Sequence, residues 1–150
     1  MSVELPFAPV DSLIRGHAGD LRVSAGAAEE LARRIQRHGA ILAVDAAAAA
    51  REDGRKTLMA SDFEGVVGPR DDTAPDRRGD LALPVAPVDR IARLEIDDRF
   101  RVSEDARVAL AGVLEAYAAD IADGAAVLAE HAGRRTVQAE DIQTYVTLVE

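Results

Sequence analysis

The side chains best suited to acid–base or metal chemistry are three histidines and two Glu-Asp pairs. The histidines are scattered without the spacing that would bring them onto one metal ion, and cysteine is absent. The Glu-Asp pairs at 52–53 and 140–141 are more typical of solvated helix faces and helix starts than of a catalytic dyad. No nucleophile, base and orienting group occur together, and no glycine-rich loop could hold a phosphate. The sequence therefore predicts no enzyme activity, metal site, cofactor or small-molecule substrate.

The charge of the chain is unusual in both sign and composition. Acidic residues number 27 against 18 basic ones, for a net charge of −9, and Lys56 alone among the basic residues is lysine. Carboxylates hold water and their mutual repulsion is screened by salt, so we expect a protein of a halophilic organism. A GC-rich genome favouring arginine and alanine codons is the alternative. No apolar run approaches the ~20 residues of a membrane span, and the N-terminus lacks signal-peptide features, so we expect a cytoplasmic protein without a membrane partner.

The sequence contains an internal repeat. Residues 5–15, "LPFAPVDSLIR", resemble residues 83–93, "LPVAPVDRIAR", at an offset of 78 residues. One extra residue near Arg99 then shifts the offset to 79. At that offset two further pairs of motifs match, which are "RVS" at 22–24 and 101–103, and "GRKT" at 54–57 with "GRRT" at 133–136. Such a match predicts two related structural units.

The domain organisation follows from this repeat. We expect copy one at residues 1–67, copy two at residues 83–150, and a linker at 68–82. The linker sequence is rich in proline, glycine and charge and has no hydrophobic periodicity. If extended, it could reach ~45 Å, which is enough for copy two to fold back against copy one.

Each copy is predicted to form a short helix, a long helix and a short helix, separated by short extended segments. In copy two the long helix is predicted to begin after Ser103, a good N-cap, and to end near Gly133, with apolar residues recurring every three or four positions. Its counterpart runs from Ser24 to Gly54. A helix of ~28 residues is ~42 Å long and cannot bury its apolar stripe against two short helices alone. Each copy is therefore predicted to complete the core of the other.

These motifs resemble those of the archaeal histones, relatives of the eukaryotic core histones. The resemblance rests on "LPxAPVxRI" in the first helix, on "RVSxDAR" at 101–107, and on "LAxHAGRRTVxAEDI" at 128–142. It implies an all-α protein, a fused doublet of two tandem histone folds that form an intramolecular handshake pseudo-dimer. It also implies a chromatin protein, associated with the nucleoid, that binds and wraps or bends double-stranded DNA largely independently of sequence.

The resemblance assigns DNA contacts to the paired loops and the first helices. The first loop of one copy lies beside the second loop of the other, and the Arg of "RVS" enters the minor groove next to the loop Thr. Arginines of the first helices add phosphate contacts at the centre of the DNA path, where Ser12 replaces the basic residue matched by Arg90. The residues expected to bind DNA are Arg15, Arg22, Lys56, Thr57, Arg90, Arg93, Arg101, Arg135 and Thr136.

Two further arginines are expected to be structural. Arg55 and Arg134 precede Asp62 and Asp141 by seven residues, which is the spacing of the family's loop-to-helix ion pair. We favour this pairing over DNA contact for both arginines. Their removal should reduce stability, because it would leave a partly buried carboxylate unpaired.

The resemblance also implies a mode of self-association. His131 and Asp141 match the positions through which family dimers join end to end in a four-helix bundle, whereas copy one has Glu52 and Asp62 there. Two carboxylates could not pair across such a junction, so doublets are predicted to associate through copy two only. A solvent-exposed His131 without a partner is the alternative.

The negative net charge leaves a second function open. Acidic residues concentrate in copy two, and molar salt would strongly weaken binding based on charge alone, because each phosphate contact releases counterions. The alternative is a histone-fold transcription regulator or protein-interaction module with little general DNA compaction. Both "RVS" loops and both "GR[KR]T" loops are retained, and this favours DNA binding.

Overall fold

A computed structural model describes residues 3–67 and 82–150. Apart from Ala82, the predicted linker lies outside the described residues. Six helices and four two-residue strands are found in the described parts of the chain. In order they are α1 Phe7–His17, β1 Arg22–Val23, α2 Ala25–Glu52, β2 Thr57–Leu58, α3 Ala60–Val67, α4 Val85–Ala92, β3 Arg101–Val102, α5 Glu104–His131, β4 Thr136–Val137 and α6 Ala139–Val149.

The long helices α2 and α5 begin and end at the residues that local chemistry predicts. The Oγ of Ser24 accepts a hydrogen bond from the backbone N–H of Ala27, and the Oγ of Ser103 accepts one from Ala106. Both bonds satisfy N–H groups that a helix start leaves without a partner. Just beyond the C-terminal ends, Gly54 and Gly133 have φ angles of 72° and 76°. This left-handed conformation favours glycine and stops each helix after 28 residues.

The core is shared between the two copies. Helix α2 packs against α4, α5 and α6 of copy two as well as against α1 and α3 of its own copy. At Gly39, an added Cβ would lie only 2.8 Å from Ile91 Cγ2 and 2.9 Å from Leu114 Cδ1. Because glycine has no side chain, α2 can come this close to α4 and α5. The buried apolar side chains form one continuous cluster across both copies.

Within 3–67 and 82–150, the strands pair between the copies and not within them. Strand β1 is parallel to β4, with Arg22 opposite Thr136, and β2 is parallel to β3, with Thr57 opposite Arg101. In the first pair Arg22 N–H donates to Arg135 O at 2.8 Å, and in the second Arg101 N–H donates to Lys56 O at 2.8 Å. Each first loop therefore lies beside the second loop of the other copy. The predicted all-α handshake of two tandem histone folds is confirmed.

Candidate nucleic-acid interface

The exchanged strand pairs create two small basic surfaces. We call them loop patch one, formed by Arg22 with Arg135 and Thr136, and loop patch two, formed by Arg101 with Lys56 and Thr57. The four basic side chains are exposed, the two threonines are half-buried, and none of the four forms an ion pair with another described residue. Each patch takes one basic group from a first loop and another from the second loop of the other copy. The charges are therefore available to an external anion.

In copy one, the second loop is fixed by an ion pair. The guanidinium of Arg55 donates two hydrogen bonds to Asp62, Nη1 to Oδ2 at 3.1 Å and Nη2 to Oδ1 at 2.8 Å. Asp62 is only 5% exposed, and it also accepts the backbone N–H of Met59 at 2.8 Å. Arg55 donates further to the backbone carbonyl of Thr57. The side chain of Arg55 is thus directed toward the protein, next to the threonine of loop patch two.

Copy two repeats this arrangement. Arg134 donates to Asp141 through Nη1 to Oδ2 at 2.8 Å and through Nη2 to Oδ1 at 2.6 Å, and Gln138 N–H donates to Oδ2 at 2.8 Å. Asp141 is 2% exposed. The paired geometry places both arginines in contact with a buried carboxylate at the start of a short helix. A buried carboxylate of this kind depends on its partner for stability.

The same contacts shift the pKa of each carboxyl group. For Asp62, the hydrogen bond from Arg55 holds the pKa below its usual value, against the opposing effect of burial. For Asp141, burial raises the pKa, but the hydrogen bonds from Arg134 and from the Gln138 backbone together lower it further than burial raises it. The pKa of Arg134 is raised in turn by its bond to Asp141. Both aspartates are therefore ionised in the folded protein at neutral pH.

These shifts predict a loss of stability in acid. A carboxyl group with a depressed pKa in the folded state contributes stability that is fully present above its unfolded pKa, near 3.8, and is lost as the pH falls through the folded value. Denaturant unfolding of the parent and of an Asp62→Asn, Asp141→Asn variant between pH 7 and pH 2 tests this. The parent should be the more stable at pH 6, and the difference should shrink below pH 4. A constant difference would contradict the assignment.

The arginines of the first helices are already paired with carboxylates. Arg15 Nε donates to Asp11 Oδ2 at 2.7 Å, and Arg93 Nε, at the C-cap of α4, donates to Asp89 Oδ2 at 3.1 Å. Arg90 Nε lies 3.3 Å from a Glu4 carboxylate oxygen. The sequence-based prediction did not include these acids, although the i, i+4 spacing of Asp11 and Asp89 is a recognisable signal. The first helices are thus less free to bind phosphate than the loop patches.

The two ends of the pair of folds differ in charge. His131 is the last residue of α5; it is exposed and forms no ion pair with another described residue. Asp141 is bound to Arg134 and does not contact His131 within the chain. At the corresponding end of copy one, Glu52 is exposed and Asp53 is bonded to Arg55 at 3.0 Å. One end therefore carries a histidine and the other an uncompensated glutamate.

Membrane insertion has no support among the helices of 3–67 and 82–150, because none of them is long and apolar enough to cross a bilayer.

Three helices in each described half, exchanged strand pairs and paired basic loops define a histone-fold protein with both folds in one chain. The chain belongs to the family of histone-like transcription factors (CBF/NF-Y) and archaeal histones, whose family model matches residues 3–67 and 81–146.

Individual relatives agree with this assignment. The chain is 50% identical over 64 residues to the archaeal histone HAN1 of Thermococcus zilligii, a match that covers 43% of this chain and 92% of the relative. Among solved structures, the histone of Methanopyrus kandleri is 27% identical with a TM-score of 0.71, covering 96% of this chain and 94% of the other. A protein of Thermus thermophilus shares the fold at 22% identity and a TM-score of 0.69, with 97% of both chains covered.

Proposed function

We propose that this protein is a chromatin protein that binds double-stranded DNA largely independently of sequence and wraps or bends it. The observation that carries this proposal is the pair of loop patches, each assembled from both copies and each presenting exposed basic side chains beside a threonine. Parallel strands and buried ion pairs fix the loops, so the basic groups are held in place before DNA binds. Such short surfaces suit phosphates and the minor groove better than a run of base edges.

The acidic residues need not prevent this binding. On α5, the carboxylates of Asp120 and Asp123 accept hydrogen bonds from or pair with Tyr145 and His17, at 3.1 and 2.8 Å. They are thus partly compensated within the protein, whereas the basic groups of the loop patches have no ion-pair partner among the described residues. The distribution supports a basic edge on an acidic body. We further propose that the acidic excess keeps the protein soluble in the concentrated salt of a halophilic cytoplasm, where it is associated with the nucleoid.

A DNA titration across salt concentrations tests the proposal. With ~6 phosphate contacts, log K should fall with log[KCl] at a slope of about −5 between ~0.1 and 3 M KCl. Duplexes of unrelated sequence should bind with similar affinity, and long DNA should be shortened in a tethering or ligation assay. Absence of binding throughout this range would overturn the proposal.

A second function is favoured by one observation. Arg15, Arg90 and Arg93 each pair with a carboxylate, and Ser12 occupies the position matched by Arg90. With weak central contacts, the chain would act as a histone-fold transcription regulator or protein-interaction module with little general compaction. The two functions differ in the compaction assay, because a regulator would bind DNA or a protein partner without shortening long DNA.

We also propose that doublets associate end to end through copy two. His131 is exposed at the end of α5, and Asp141 lies in the first turn of α6 of the same copy. A second chain related by a two-fold axis could therefore place its His131 against this carboxylate, and the reverse. Glu52 at the other end would face the partner's acidic groups and stop growth.

Sizing of the free protein tests this mode of association. Parent protein should have the mass of two chains at micromolar concentration, and His131→Ala should have the mass of one. Glu52→Ala serves as the matched control at the other end and should leave the mass of the parent unchanged. If His131→Ala elutes with the parent, the contact lies elsewhere.

A further inference from the structure

A chain of contacts in copy two connects the first helix to the DNA-facing loop. Asp89 of α4 binds Arg93 through Oδ2, and its Oδ1 lies 3.7 Å from Nε of Arg107, in the first turn of α5. Arg107 Nη2 donates in turn to the backbone carbonyl of Val102 at 3.2 Å. Val102 follows Arg101 in strand β3. We call these contacts the Asp89–Arg107 bridge.

The two facing atoms of the bridge have no other partner in the described chain. Asp89 Oδ1 and Arg107 Nε are both buried and form no hydrogen bond. Leaving a buried charged atom without a partner is costly, so each atom holds the other in place. The side chains as a whole are only 19% and 28% exposed, so solvent screens their attraction incompletely. The bridge therefore restrains α4 and β3 relative to each other.

Copy one lacks the second half of this arrangement. Asp11 binds Arg15 as Asp89 binds Arg93, and its Oδ1 is likewise buried without a hydrogen-bond partner. At the position of Arg107, however, the sequence has Ala28, which is 1% exposed. In the described part of copy one, no arginine therefore connects Asp11 to the carbonyl of Val23 in β1. The two loop patches are built alike, but only loop patch two is supported from the first helix of its own copy.

We propose that Asp89 and Arg107 are positioning residues for DNA binding. Together they hold strand β3, which carries Arg101, and the side chain of Arg93 in one fixed relation on the DNA-facing edge. Because copy one has no such bridge, loop patch two contributes more to affinity than loop patch one. This inference rests on the proposed function and adds an asymmetry to it.

The sign of one mutational effect separates positioning from simple charge. A carboxylate beside a polyanion repels it, so replacing Asp89 by asparagine would strengthen DNA binding if charge alone mattered. Loss of the bridge acts in the opposite direction, because Arg93, Arg107 and β3 lose a common anchor. Weaker binding by Asp89→Asn therefore identifies a positioning role. A residue that affects only stability would not change the affinity of the folded protein in this direction.

Asp11→Asn is the matched control, since Asp11 has the same helix position and the same i+4 arginine without the bridge. In ~0.2 M KCl we expect Asp89→Asn to weaken binding to a short duplex by about three- to tenfold. Asp11→Asn should bind as well as the parent or a few-fold tighter. Circular dichroism at the assay temperature confirms that both variants are folded. If both variants bind more tightly than the parent, the positioning role is wrong and the proposed function stands.

Amide hydrogen exchange measures the bridge without DNA. The N–H groups of Arg101 and Ser103 donate to Lys56 and Leu58 across the strand pair, and they should exchange faster in Asp89→Asn than in the parent. The equivalent amides, Arg22 and Ser24, should not change in Asp11→Asn. Unchanged exchange at Arg101 and Ser103 would overturn the bridge even if the parent binds DNA. A parent that fails to bind DNA would instead overturn the proposed function, and the positioning role with it.

Discussion

An Arg22→Ala, Arg101→Ala double variant is expected to bind double-stranded DNA about 100-fold or more weakly than the parent at ~0.1 M KCl. Each arginine is exposed on a strand whose backbone is fixed by the other copy, and neither has an ion-pair partner among the described residues. A preorganised guanidinium that contacts phosphate makes a charge-assisted hydrogen bond, worth about 1.5–3 kcal/mol. Two such losses give the expected change.

Salt dependence shows whether the lost contacts are to phosphate. Each phosphate contact contributes about −0.9 to the slope of log K against log[KCl], so the double variant should have a slope shallower by about two. Fluorescence anisotropy on a short duplex between ~0.05 and 0.5 M KCl would measure both quantities. A similar slope with lower affinity would indicate that the substitution disturbed the loops instead of removing two contacts.

Two controls separate position from charge. Arg22→Lys, Arg101→Lys keeps both charges and should keep most of the slope, while losing the planar guanidinium that fits a groove. Arg33→Ala, Arg37→Ala removes the same net charge from the middle of α2, outside both loop patches, and should change affinity by less than about threefold. If the Arg22, Arg101 variant binds as tightly as the parent, the loop patches are not the DNA site.

The fold could be predicted because its determinants are local or repeated. Ser24 and Ser103 are N-caps whose effect extends over one turn, and Gly54 and Gly133 end the helices through their own backbone conformation. The internal repeat then supplies the long-range information. A stripe of apolar residues that is too long for one copy requires the second one, and strand pairing between the copies follows from that arrangement.

The charge pairing of the first helices could not be predicted as fully. The contact of Arg90 with Glu4 joins two copies, and that of Arg107 with Asp89 joins two helices, so both depend on packing that sequence spacing does not encode. The short helix α4, with eight residues against eleven in α1, likewise depends on the loop that follows it. Loop arginines were easier to place, because the strand register alone fixes their neighbours.

Separating the two halves is expected to abolish the folded monomer. In fragment 1–67, helix α2 would lose every contact with α4, α5 and α6, and Ile35 and Leu31, which are fully buried in the intact chain, would face water. Strands β1 and β2 would lose their partners as well. Fragment 83–150 would lose the reciprocal contacts. Neither fragment should show a cooperative unfolding transition as a monomer, whereas the intact chain should unfold in one step that does not depend on its concentration.

Mixing the fragments then measures what the covalent connection contributes. If the chain gives an effective concentration of about 1 mM, two fragments at ~1 μM lose about 4 kcal/mol of apparent stability relative to the intact protein. Circular dichroism and sedimentation from ~1 to 100 μM should show helix forming only as fragments associate, with each other or with themselves. Folding that depends on concentration would locate the stability in the shared core. A fragment that is helical, monomeric and cooperative at every concentration would show that one copy buries its own apolar face, and the loop patches would then lack the interface that assembles them.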